Sequence, residues 1–217
     1  MAALGAQAER LGAGDEGPGV LARRRRVIWL IAAYGAVAAA AAGVSLLLGR
    51  DPLTCPGWFE PGGAAGVLLS LGLGVCLGAT TVAASRIMVR RAAWARVLHA
   101  ALRPAVHGAG DVGLLAVAVA SAVGEELLFR GLLQPLLGIA VSSVVFGALH
   151  QIRGPARWGW MVWATAMGLL FGGVFAATGS LAGPIVAHAM INGANLRFLR
   201  DNDPSPRRRA LGGLLRR

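Results

Sequence analysis

The chain has 217 residues, 56% of them hydrophobic and only 14% charged, with a mean hydropathy of +0.62. A soluble domain carries about a quarter charged residues, so the composition excludes an ordinary soluble globule and leaves little room for a separate soluble domain. The net charge of +11 comes from arginine alone, since the sequence contains no lysine; these arginines cluster just outside apolar runs, which points to anionic lipid headgroups as partners and away from nucleic acid.

In chain order, residues 1–26 are polar and rich in Gly and Ala, and they close on Arg23–Arg26. They read as a flexible cytoplasmic tail. Val27–Leu48 is a first apolar run, longer than the apolar region of about 7–15 residues in a signal peptide, and is expected to be an uncleaved span. Residues 49–63 form a loop rich in Pro and Gly, with Trp58 and Phe59 as interfacial aromatics. Cys55 lies in this loop and Cys76 within the next span, Ala64–Ala84. That separation argues against a disulfide, and two cysteines make no metal framework. Between residues 86 and 103, Arg86, Arg90, Arg91, Arg96 and Arg103 alternate with Trp94, Val97, Leu98 and Leu102. This pattern predicts a basic amphipathic helix at headgroup level.

Further spans are expected over 112–133, 136–151, 158–177 and 181–199, the second of them short. Residues 27–200 thus form the transmembrane domain, with a motif-bearing core at 110–200, and 201–217 form a basic cytoplasmic tail. The expected fold is all-α, a polytopic bundle of about six transmembrane helices with one interfacial helix. Arginine-rich loops alternate with loops that hold only Arg50. The positive-inside rule therefore places the chain in the cell membrane as a multi-pass protein with both termini cytoplasmic.

Glu125, Glu126 and Arg130 interrupt an otherwise apolar run. Each costs roughly 2.5–3.5 kcal/mol near the bilayer centre on insertion scales, and such residues usually face a cavity or a partner. Glu126 and Arg130 are four apart with the acid first, the favourable order for a helical ion pair. Glu125 is turned about 100° from Glu126 and cannot easily share Arg130, so it is the carboxylate left for chemistry. Phe146 and His150 are four apart on the next span, and His188 and Asn192 on the last. A carboxylate with an imidazole can hold and deprotonate water, while His and Asn can donate to an oxyanion. Glu125, His150 and His188 could instead ligate zinc or another divalent metal. Either arrangement suits peptide hydrolysis. Ser121, Ser142 and Ser143 read as small packing residues, and His99 and His107 as incidental to the site. HExxH, Walker and GxGxxG signatures are absent from the sequence.

Glu125-Glu126-Leu-Leu-Phe-Arg130 resembles an EExxxR motif, Phe146-Gly-Ala-Leu-His150 an FxxxH motif, and His188-Ala-Met-Ile-Asn192, after Thr178-Gly-Ser-Leu181, an HxxxN motif. Together and in this order they resemble the CPBP (Abi) intramembrane proteases, which include the type II CAAX-prenyl endopeptidases. The resemblance covers about residues 110–200 and implies an all-helical membrane endopeptidase, whether metallo- or glutamate-dependent. It implies that Glu125 activates water with help from His150, that His188 and Asn192 stabilise the oxyanion, and that Glu126, Arg130 and Phe146 support the site. It also implies a peptide or protein substrate, membrane-embedded or lipidated. The competing expectation is a non-catalytic scaffold or bacteriocin-immunity protein that binds in the same cavity.

Overall fold

The computed structural model describes residues 18–59 and 63–204. Most of the expected amino-terminal tail (1–17) and the basic stretch at 205–217, with Arg207–Arg209, lie outside the described residues. The architecture is all-α. Helix α1 spans Pro18–Leu47, α2 Gly63–Arg91, α3 Ala93–Val106 and α4 Asp111–Glu126; a π-helical turn, Leu127–Leu133, leads into α5, Gln134–Leu149, and α6 (Arg157–Thr178) and α7 (Ala182–Asp201) follow. Among the described residues the one β-type pairing is an isolated bridge between Thr54 and Ser180.

Four segments are long and apolar enough to cross a membrane: Leu21–Leu47, Gly63–Arg91, Asp111–Leu149 and Arg157–Thr178. The third is not one rod. Gly138 breaks it with φ 79° and ψ 167°, a conformation that favours glycine. The chain turns there, so one long apolar stretch contains both the third and the fourth expected spans. α7, the sixth expected span, is not apolar enough by composition. His188, Asn192, Asn195, Arg197 and Arg200 lower its hydropathy, and the first three of them line cavities within the bundle.

Small residues set the packing. The buried residues of α2 are Gly66, Ser70, Gly74, Gly78 and Thr81, one face at spacings of four and three. That stripe lets α2 and α7 approach closely, as small-xxx-small faces do in membranes. Gly74 lies against the Gly183 backbone, and Ser70 Oγ accepts from Gly183 N at 2.9 Å and donates to Ser180 O at 2.8 Å. α1 uses a narrower face. Ala41 shares a buried cluster with Leu127, Phe175 and Leu181, against which Ala38, Val123 and Leu128 pack, and Ser45 Oγ donates to Gly131 O at 3.3 Å. The rest of α1 is largely exposed, as expected of a helix that faces lipid.

The helix start at Pro18 brings Arg23–Arg26 inside α1, a correction to the tail boundary expected from composition. Ala92, with φ −102° and ψ 128°, separates α2 from the amphipathic α3. α3 is the expected interfacial helix, and His99 is part of its packing: it is buried, meets Phe198 edge-on at 5.1 Å and bonds Asn202 O at 2.8 Å. At the opposite end of the bundle the loop after α1 docks on the turn before α7. Cys55 N donates to Gly179 O at 3.0 Å, Trp58 N to Ala176 O at 2.8 Å and Leu181 N to Leu53 O at 3.0 Å.

Candidate active site

The hinge at Gly138 levels two of the motifs. Glu125 lies 13 residues before Gly138 and His150 lies 12 after it, so at 1.5 Å per residue the two sit at nearly the same depth on antiparallel legs, about 18–20 Å from the turn. The short fourth span is therefore the right length to bring His150 to Glu125. Leu149 ends α5, and His150 caps it with φ −84° and ψ 66°. Its ring folds back so that Nδ1 meets Phe146 O at 2.7 Å. A carbonyl only accepts, so Nδ1 carries the proton and Nε2 is left toward the site. Nε2 lies 3.7 Å from Glu125 Oε2.

His188 is oriented from behind in the same way. Its Nδ1 lies 2.7 Å from Glu126 Oε1, and Arg130 Nη1 donates to that same oxygen at 3.0 Å. The guanidinium keeps Glu126 an acceptor, so Nδ1–H donates and Nε2 again faces inward. Nε2 lies 3.8 Å from Glu125 Oε2. Phe171 stacks on the His188 ring at 5.1 Å and 18°, and Trp160 meets His150 edge-on at 5.6 Å. Arg130 is itself held at both ends. Its Nη2 donates to Gly168 O at 3.1 Å, and its guanidinium sits 4.6 Å from the Phe146 ring centroid. Phe146 thus supports both an imidazole and the arginine.

Glu125 Oε2 is buried and has no hydrogen-bond partner. A buried carboxylate oxygen without a partner is costly, and two imidazole nitrogens face it at distances too long for direct hydrogen bonds. The gap suits a small donor such as water. The donor types would also suit zinc, and the 3.7 and 3.8 Å separations are slightly longer than the about 3.3–3.6 Å between tetrahedral ligands at about 2.0–2.2 Å. Among the described residues, no group of three or more His, Cys, Asp or Glu side chains is arranged to hold a metal ion.

Asn192 Nδ2 donates to Ser121 Oγ at 3.0 Å, and Ser121 donates to Ala118 O at 3.1 Å. Glu125, His150, His188 and Asn192 all line one cavity of about 310 Å³, and Glu126 and Arg130 sit directly behind it. The cavity reaches Leu102 of α3 and Leu199 of α7, toward the arginine-rich end of the bundle. All three motifs therefore converge.

Among the cavity residues not read from the sequence as part of the site are Ser121 and Tyr34. Ser121 orients the Asn192 amide, and its spacing to Glu125, four residues on one helical face, was a legible signal. Tyr34 of α1 lines the same cavity, and no spacing within the motif region points to it. The π-helical turn directly after Glu126 is a feature common at functional sites that the sequence pattern did not announce.

The segment that supplies the motifs is also the one that resembles known proteins. Residues 111–194 match the family model described as type II CAAX prenyl endopeptidase Rce1-like, so this segment is similar to that family. A relative from Bacillus subtilis (strain 168), described as uncharacterized protein YpbD, is 39% identical over 71 residues. That match covers 33% of this chain and 37% of the relative, about a third of either. No solved structure matches the chain. Family and apolar helices agree that this is a membrane protein.

Proposed function

We propose that the chain is an intramembrane endopeptidase that hydrolyses a peptide bond with water activated by Glu125. The observation that carries this reading is the unpartnered Glu125 Oε2, faced by His150 Nε2 at 3.7 Å and His188 Nε2 at 3.8 Å. A water between these groups donates one proton to the carboxylate and the other to an imidazole. Its oxygen then attacks the scissile carbonyl carbon as Glu125 takes the proton. The oxyanion is met by the Asn192 N–H that Ser121 does not use. His188 becomes a second donor by taking the water's other proton at Nε2 as the tetrahedral intermediate forms, Glu126 behind it stabilises the imidazolium, and that proton leaves on the product amine. The C–N bond then breaks, and the proton on Glu125 passes to the departing amine.

The substrate in this reading is a membrane-embedded or lipidated peptide that enters from the arginine-rich end. That end is cytoplasmic by the positive-inside rule, in a multi-pass protein of the cell membrane. Anionic lipids neutralise its arginines.

The test uses protein reconstituted in vesicles containing anionic lipid, incubated with lipidated and unmodified peptides and read by mass spectrometry. Wild type cleaves, Glu125→Gln lowers the rate about 10²–10⁴-fold without loss of thermal stability, and dialysis against a chelator leaves the rate unchanged. Equal cleavage by the variant sinks the proposal. Loss on chelation with recovery on zinc addition would replace it with the metallo reading. Peptide binding that survives Glu125→Gln, with no cleavage by wild type, would favour the scaffold reading.

A further inference from the structure

The segment that matches the family begins at residue 111, yet the cavity has a wall from α1. Tyr34 lines it alongside Glu125 and Ser121, so a phenol, which can donate a hydrogen bond, shares the cavity with the Glu125 carboxylate. The approach is built into both helices. Tyr34, Ala38, Ala41 and Ser45 lie on one face of α1, which packs on the α4 leg. Gly124, next to Glu125, has no side chain to hold α1 away. A Cβ there would stand 2.8 Å from the Tyr34 carbonyl oxygen and 3.3 Å from its ring. The phenol is therefore fixed beside the carboxylate. Oε2 has no partner, so a phenol donating to the other carboxylate oxygen from the α1 side would select the Glu125 rotamer and leave Oε2 for the histidine side.

The geometry points to Tyr34 as a positioning residue for Glu125, which makes the first helix part of the active site. The inference rests on the hydrolytic reading for its kinetic consequence, but the contact can be tested without it. Tyr34 is the chain's single tyrosine, so [13Cζ]tyrosine labelling gives one signal from the full-length protein in lipid nanodiscs. Glu125→Gln is expected to displace that signal, and the distant Cys76→Ser to leave it in place. In the vesicle cleavage assay Tyr34→Phe is expected to lower kcat about tenfold with KM unchanged, the effect of losing one hydrogen bond to a charged group. A merely structural tyrosine would lower stability instead and leave kcat per folded molecule intact. An unmoved signal in Glu125→Gln overturns the inference, and so does an unchanged kcat in Tyr34→Phe. If wild type cleaves no peptide, the protease reading fails, while the labelled signal still decides whether Tyr34 holds Glu125.

Discussion

Arg130 and Glu126 offer the sharpest quantitative test of how the site is held together. Their side chains are 2% and 0% exposed, and their charged atoms meet at 3.0 Å. Arg130→Met removes the cation and leaves the Glu126 carboxylate with only the His188 N–H. Glu126→Gln leaves the guanidinium against a neutral amide, a backbone carbonyl and aromatic rings. Stranding one member of a buried pair costs about 3–5 kcal/mol, so each single variant is expected to lose that much. The double variant strands neither charge, and the amide oxygen introduced by Glu126→Gln can still accept from His188 Nδ1. It is expected to lie within about 2 kcal/mol of wild type, although the two single effects would sum to about 6–10 kcal/mol if they were independent. Unfolding free energies in mixed micelles, followed by the near-UV signal of the six tryptophans, measure all four corners of the cycle. Additivity would refute the reasoning, because it would mean that neither charge depends on the other for compensation.

Two further predictions concern the oxyanion side and the orientation. Asn192→Ala is expected to lower kcat about 10²–10³-fold, as loss of an oxyanion donor does. Ser121→Ala is expected to have a smaller effect of the same sign, since Asn192 keeps its amide but loses its anchor; equal rates for both variants and wild type in the vesicle assay would remove Asn192 from the mechanism. Burial raises the Cys55 thiol above the ordinary cysteine range, and its sulfur lies 3.7 Å from Phe175 O. Thiolate is therefore scarcer at Cys55 at pH 8 than at a free cysteine, and reaction with a membrane-impermeant maleimide is expected to be slower and to speed up with pH. In intact cells the reagent is expected to reach Cys55 from outside. Labelling only after the cytoplasmic face is opened would invert the topology.

The sequence by itself determined the class of fold, because an apolar run in lipid must satisfy its backbone internally and a helix does so. It also determined the pairing of Glu126 with Arg130, since residues four apart on a helix must meet. Freedom of Glu125 from that pair followed from the same geometry. The grouping of Glu125, His150, His188 and Asn192 was legible as an expectation from motif order, but no local rule relates residues on different helices. Only the tertiary structure decided that His188 hydrogen-bonds Glu126 at 2.7 Å. That contact makes Glu126 an orienting group for the imidazole as well as the partner of Arg130. The break at Gly138 was foreshadowed by Pro135 and Gly138 as a turn, yet the equal depth of Glu125 and His150 emerged only once the hinge was placed. Tyr34 lay beyond sequence reasoning for a physical reason: which helix covers an intramembrane carboxylate depends on how closely two backbones can approach, and here that was set by a glycine at position 124 meeting one face of a distant helix.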